Sequence, residues 1–413
     1  MKWGEYISLE KGHYNFCMWI AFFIPLHKKT VTFLIGLFVM YTIIYFIRRK
    51  STLSWVFQPA MFFSALLYTM LFVSAFNSSF PEVAWKELEF KASMFVFPLL
   101  ALLHPGLSKN ELYRIFNAFT TGTLLFALVA LSYGIYRVNQ YGSLDYLTYS
   151  KLGIVFHPTY MAVYQSLALL WILMRGVRQD YFFSIKWIHW IAGGFTVLFI
   201  SMLASKAGII SAGICIFLAG FAAHRRYIIP RHYILVCLSS LVFLFATSML
   251  LPLTASRFER SAKDIATSPV GENSPAYSST ELRKVTWAAS FEVLRENPFG
   301  LGAGNVGAKL EELYERDGET YAAEHQLNTH NQFLQIAAEL GWPGLLLMIL
   351  IFLLTFVQSI KSGTFIFPAF ILVTGVNCLF ESMLEVQAGV VFFFFFLMVF
   401  VKTDFKSEGN HWV

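Results

Sequence analysis

Apolar runs fall near 14–26, 30–47, 54–76, 92–104, 112–136, 158–174, 187–204, 207–223, 233–252, 342–358, 364–380 and 388–401, each bounded by charged or turn-forming residues. Runs that approach the roughly 20 residues of a bilayer-crossing helix read as membrane spans, and twelve of them leave little room for any other architecture. Composition agrees. Of 413 residues, 57% are hydrophobic and 14% charged, against about 25% charged in soluble chains, so a large soluble enzyme is excluded. The expected fold is an all-α membrane protein of about twelve transmembrane helices.

Runs 14–26 and 92–104 are short for a straight crossing, so their polar flanks extend the helices or the bilayer thins. The first run ends in Leu26-His27-Lys28-Lys29 rather than at a small-residue cleavage site, so it is expected to stay as a helix. Lys and Arg set the orientation. Twelve lie in the short connections after even-numbered spans, such as Arg48, Arg175 and Arg225, and seven after odd-numbered ones, such as Lys28 and Lys151. Even connections and both termini are therefore assigned to the cytoplasm. Cys17, Cys215, Cys237 and Cys378 each lie within an apolar run, which suggests small core residues and neither a disulfide framework nor a Cys-based metal site. The net charge of +6 comes in short clusters between spans. Lipid headgroups or a phosphorylated substrate suit it, and nucleic acid does not.

The one extended polar region, 253–341, lies between spans nine and ten and is assigned to the outer side. Its length favours a small ordered cap over a structureless loop. Residues 261–280, rich in Ser, Pro and Gly, read as a flexible lead-in. A helix follows through Trp287, Phe291 and Leu294, then a turn at Gly300-Leu301-Gly302-Ala303-Gly304-Asn305. A second helix is expected over about 306–314, and a third from about Thr329 to Gly341 feeds span ten. The organisation is thus 1–252 for spans one to nine, 253–341 for the cap, and 342–413 for spans ten to twelve with a cytoplasmic tail.

An enzyme on the outer face has no ATP, so a transfer there draws on a donor activated inside and carried across, and lipid-linked sugar diphosphates fit. Such a site needs cations for the leaving group and a base or orienting group for the acceptor. Arg283 and Lys284, at the start of the first cap helix, either face the membrane surface or form a solvated face. His330, just before span ten, is either structural or catalytic. Lys206, in a tight connection after span seven, is either functional or a snorkelling lysine. His157 and Tyr160 at the start of span six, and Glu381 and Glu385 after span eleven, either line the same vestibule or cap helices. Asn331 and Glu339 join this vestibule group. His325 is not at the i, i+4 spacing of a helical metal pair, and no metal site is expected. The glycine cluster follows no strand, so a nucleotide-binding reading fails its context. Phe393 to Phe396 read as lipid-facing bulk.

Laid out this way, the chain resembles the O-antigen ligase and O-antigen polymerase superfamily of bacterial envelope glycosyltransferases. The resemblance rests on Arg283-Lys284-Val285-Thr286-Trp287, Glu296-Asn297-Pro298-Phe299-Gly300-Leu301-Gly302-Ala303-Gly304-Asn305, His330-Asn331-Gln332-Phe333-Leu334 and Glu339-Leu340-Gly341-Trp342-Pro343-Gly344. It implies a twelve-helix bundle with a helical periplasmic cap in the bacterial inner membrane. The implied reaction is metal-independent and cofactor-free glycan transfer from an undecaprenyl diphosphate carrier, in the ligases to a lipid A core sugar. It also implies that Arg283 and Lys206 engage the diphosphate and that His330 acts on the acceptor hydroxyl. Lys206 stands where the ligases carry arginine, which keeps the charge and loses the bidentate fork. Repeat-unit polymerases and protein O-oligosaccharide ligases share this architecture. A polysaccharide transporter is a third reading, weakened because few polar groups lie within the spans.

Overall fold

The computed structural model describes residues 3–49, 58–154, 156–226, 231–251, 254–256, 259 and 279–405. The expected lead-in over 261–280 lies outside them except for its last two residues, as do the start of run 54–76 and the end of the C-terminal tail. The regular structure of the described residues is all helical, with no β-strand. In chain order the helices are α1 (Trp3–Phe23), α2 (Lys28–Arg49), α3 (Pro59–Ala75), α4 (Pro81–Lys91), α5 (Ser93–Leu103), α6 (Lys109–Tyr141), α7 (Tyr149–Leu152), α8 (Pro158–Val177), α9 (Lys186–Met202), α10 (Lys206–Arg226) and α11 (Arg231–Leu250). After a gap come α12 (Ser279–Glu296), α13 (Val306–Arg316), α14 (Thr320–Glu324), α15 (Gln332–Lys361), α16 (Ile366–Phe380) and α17 (Gln387–Lys402).

In its described residues, each of the twelve apolar runs falls mainly on a helix. Six helices, namely α2, α6, α8, α10, α11 and α15, are long and apolar enough to cross a membrane, whereas α3, α16 and α17 are shorter apolar helices. The chain is a multi-pass membrane protein. Its outward faces suit lipid: α2 exposes Phe33, Met40 and Ile47, and α11 exposes Val242 and Phe245.

At the centre stand α8 and α17. Every residue of α8 is buried, as is α17 from Ala388 to Val401. This corrects the lipid-facing expectation for Phe393 to Phe396, which are all fully buried. Their rings meet aromatic residues of surrounding helices. Phe396 lies 5.1 Å from Phe116 and 5.0 Å from Phe119, and Phe370 stacks on Phe393 at 5.7 Å. A uniformly apolar helix is compatible with lipid or with a bundle centre, and neighbours decide between the two.

Apolar helices gain little from associating in hydrocarbon, so close packing of small residues sets their approach. Between α8 and α10 a Cβ on Gly208 would sit 2.2 Å from that of Ala162, which holds the start of α10 against the start of α8. There Ser205 Oγ donates to Thr159 Oγ1 at 3.4 Å.

Helix α15 is broken at Gly341 (φ 65°, ψ −157°). Pro343, two residues on, has no N–H to offer and its ring crowds the carbonyl four residues back, which is that of Glu339. The orphaned acceptors are met from the glycine cluster: Leu301 N donates to Ala338 O (2.9 Å) and Gly302 N to Glu339 O (2.8 Å). In return Trp342 N donates to Pro298 O at 2.9 Å. A Cβ on Gly341 would lie 2.0 Å from that oxygen. Two of the sequence motifs are therefore one structural unit, in which the glycine turn completes the backbone of a broken helix. The turn also reaches α3 and α4, where Ala303 N donates to Ser74 Oγ (3.0 Å) and Gly304 N to Glu87 Oε2 (2.8 Å).

Candidate active site

A cavity of about 640 Å³ opens between the starts of α8, α10 and α12 and the loops around His330 and Glu381. Lys206, Arg283, His330 and His157, far apart in sequence, all line it. Tyr149, Ser279, Thr280, Lys284, Trp287, Tyr321, Leu327, Phe380 and Glu381 line it as well. Tyr160, Asn331 and Glu339, expected in the same vestibule, are not among the lining residues. Tyr160 is buried beneath His157, ring to ring at 6.2 Å. Asn331 is spent as the N-cap of α15, its Oδ1 accepting from Phe333 N and Leu334 N. Glu339 is buried in an ion pair described below.

The cations are held by local structure. Lys206 opens α10 and donates through Nζ to Ser279 Oγ (3.1 Å) and Thr280 Oγ1 (3.4 Å) at the start of α12. Arg283 lies one turn further along α12. Its Nε and Nη2 donate to Phe380 O, the last carbonyl of α16, at 3.0 and 2.9 Å, and its Nη1 donates to Ser279 O at 2.9 Å. A guanidinium held by three bonds to two carbonyls is a fixed charge rather than a swinging one, and it also satisfies a helix end.

His330 sits in a left-handed backbone conformation (φ 45°), as does Ala204 (φ 48°) two residues before Lys206, and Tyr149 (φ 50°). Such strain in a residue with a Cβ costs about 1–3 kcal/mol and clusters at functional sites. The loop bearing His330 is pinned where Thr286 Oγ1 donates to Thr329 O (3.3 Å), where Thr329 Oγ1 meets Ser382 Oγ (3.0 Å), and where His330 N donates to Asn328 Oδ1 (3.0 Å).

His330 Nδ1 lies 3.4 Å from Oε1 of Glu381. The two are within ion-pair reach without the alignment of a hydrogen bond. Burial works against ionisation of Glu381, but His330, with His157 and Arg283, overrides it and holds the carboxyl below its ordinary range. Sequence reasoning had placed Glu381 only as a vestibule or capping residue, because nothing in the chain shows which histidine it faces.

Behind the cavity wall lies a second charge cluster. Lys91 Nζ meets both carboxylate oxygens of Glu339 (2.7 and 2.8 Å) and Oε2 of Glu385 (2.7 Å), with Lys91 and Glu339 almost wholly buried. Gln335 and Gln332 donate to Glu339 and Glu385. Burial would lower the lysine's pKa, yet the surrounding carboxylates raise it. Glu385 is pushed up to about 8 by burial and by Glu339, with Lys91 only partly offsetting them. The cluster ties α4 and the Met383–Glu385 turn to the upper half of α15.

Among the described residues no three His, Cys, Asp or Glu side chains are grouped so as to hold a metal ion. All four cysteines are buried and unpaired with one another.

Residues 190–349 match the family model described as O-antigen ligase. No curated protein matches the chain. The matched stretch contains α10 to α14, the glycine turn, the break in α15, and Lys206, Arg283 and His330. Over residues 190–349 the chain is thus similar to the O-antigen ligase family.

Proposed function

We propose that the protein is a membrane glycosyltransferase of the ligase type. It moves a glycan from undecaprenyl diphosphate to an acceptor sugar hydroxyl, such as one on the lipid A core, at the periplasmic face of a bacterial inner membrane. The observation that carries this reading is the meeting of Lys206, Arg283, His330 and Glu381 on one cavity. Twelve crossings would place 253–341 and this cavity on the periplasmic side, as the Lys and Arg distribution requires.

In this reading Lys206 and Arg283 face the diphosphate, whose charge grows as its bond to the anomeric carbon breaks, and their fixed positions lower the barrier without reorganisation. The acceptor oxygen forms the new bond to that carbon, and its proton passes to Nε2 of His330. Glu381, ionised and beside Nδ1, orients the imidazole and stabilises the imidazolium that results. In this reading the leaving group is met by side-chain cations and Glu381 is engaged with His330, so the reaction draws on no divalent metal. Purified protein in nanodiscs, supplied with an undecaprenyl diphosphate glycan and an acceptor, should show transfer that His330→Ala abolishes while donor binding persists. Transfer by the variant at the wild-type rate would remove His330 from the chemistry.

A further inference from the structure

The cavity changes character along α12. Ser279, Thr280, Arg283, Lys284 and Trp287 recur on one face of that helix and form one wall. The first two turns carry Arg283 and Lys284, with Lys206 bonded to Ser279 and Thr280, and Trp287 follows one turn on; Tyr321 and Leu327, uncharged, also line the cavity, Leu327 against the core that includes Ala289 and Val293 of the same helix. From Ser279 to Trp287 the helix rises about 12 Å, room for a diphosphate followed by one sugar ring. The His330 loop joins α12 at Thr286, between the charged turns and Trp287. The reacting centre therefore stands between the two ends.

The aromatic end is held by local contacts. The Tyr321 ring stacks on His325 at 4.0 Å and 21°, and His325 Nδ1 lies 3.0 Å from Tyr321 O. Leu327 packs against a small separate core of Ala289, Val293, Leu310 and Tyr314, and its carbonyl accepts from Tyr314 Oη at 3.2 Å. Trp287 Nε1 is buried with no acceptor among the described residues, and a buried donor left unpaired in a native fold calls for an explanation.

Aromatic faces are electron-rich, and the apolar C–H face of a pyranose packs on them while its hydroxyls stay at the edge. We propose that the Trp287–Tyr321 end of the cavity is a subsite for the pyranose ring attached to the donor diphosphate. This assignment rests on the reading of Lys206 and Arg283 as the diphosphate site. It goes beyond that reading by naming the residues that would distinguish a glycan-bearing carrier from a bare one.

The test compares full-length protein in nanodiscs binding farnesyl diphosphate, and farnesyl diphosphate bearing glucose, galactose or N-acetylglucosamine. At least one sugar-bearing lipid should bind roughly tenfold more tightly than the bare one. Trp287→Ala and Tyr321→Ala should erase that difference and leave the affinity for the bare lipid, which also reports that the variants are folded. Trp287→Phe, which keeps a ring, should retain most of it. Equal binding of all four lipids by the wild type, or an equal loss for all four in the Ala variants, would overturn the subsite while leaving the diphosphate site standing. Failure of the wild type to bind any of them defeats the diphosphate site and the subsite with it. Binding of the free monosaccharides that the same Ala variants abolish would move the ring to the acceptor side and reject the donor assignment.

Discussion

Glu381 stands 3.4 Å from His330 across the cavity wall, one at the end of α16 and the other at the start of α15. Because the carboxyl is held below its ordinary range, its contribution is present above about pH 4.5 and is lost as the pH falls through its folded value. At neutral pH it is an anion aimed at the imidazole. Removing the charge while keeping the shape, as in Glu381→Gln, should lower kcat by about 10- to 100-fold, comparable to losing a partner that orients a functional group. His330→Ala should lose about 10²–10⁴. The double variant should lose little more than His330→Ala alone, and additive losses would show that the two act separately.

Lys206 tests charge against shape. It faces two hydroxyls of α12, and arginine there restores the group that the ligases carry. Lys206→Arg should keep much of the transfer rate, whereas Lys206→Ala should lose at least about 10²-fold. Rates measured at matched membrane expression decide this, and an active Ala variant would reduce Lys206 to a residue that holds α10 to α12.

The Lys91 cluster predicts a stability effect with a definite pH sign. Lys91→Met strands two buried carboxyls, a loss of about 3–5 kcal/mol, and Glu339→Gln with Glu385→Gln should recover part of it. Glu385 is raised from 4.5 to about 8. Its contribution is therefore complete below pH 4.5 and is lost as the pH rises toward 8. The apparent melting temperature should fall across that window more steeply, or rise less, in the wild type than in Glu385→Gln. Parallel profiles of the two proteins between pH 5 and 8 would contradict the assignment.

At Gly341 the backbone is left-handed and a Cβ would meet Pro298 O at 2.0 Å. Gly341→Ala should be among the most destabilising single substitutions in the chain, with folded yield falling sharply. A control at Gly36, where a Cβ meets nothing within 4 Å, should leave yield unchanged. Fluorescence-detected size exclusion of both variants provides the comparison.

Transfer should survive EDTA, because the proposed leaving-group contacts are side-chain cations rather than carboxylates holding a metal. Activity lost to the chelator and restored only by magnesium or manganese would reject this.

Much of this was legible in the chain. Apolar length located the helices, and the polar stretch with its helix-stop signals located α12, α13 and the upper half of α15. The amphipathic α4 falls between runs 54–76 and 92–104, where a short stretch rich in charge has no apolar run to mark it. Lys91 is buried, and its partners Glu339 and Glu385 lie in distant segments that no local pattern connects to it. The same holds for Phe393 to Phe396, since apolarity says that water is absent without saying whether lipid or protein replaces it. His330, Arg283 and Lys206 were singled out by motif and residue type, and the fold brings all three onto one cavity. Glu381 became specific only once the fold set α16 against the His330 loop.

The mutual dependence of the glycine turn and the broken α15 sets where this chain can be cut and rejoined. Exchanging α12 to α14 alone between relatives would separate Leu301 and Gly302 from Ala338 and Glu339, the groups whose hydrogen bonds they complete. The transplanted turn would have to fit a foreign break to within a few tenths of an ångström. The natural unit of exchange therefore runs from Ser279 through at least Gly344. A chimera with its junction inside the lower half of α15, where the helix is regular, keeps the break and its clasp from one parent.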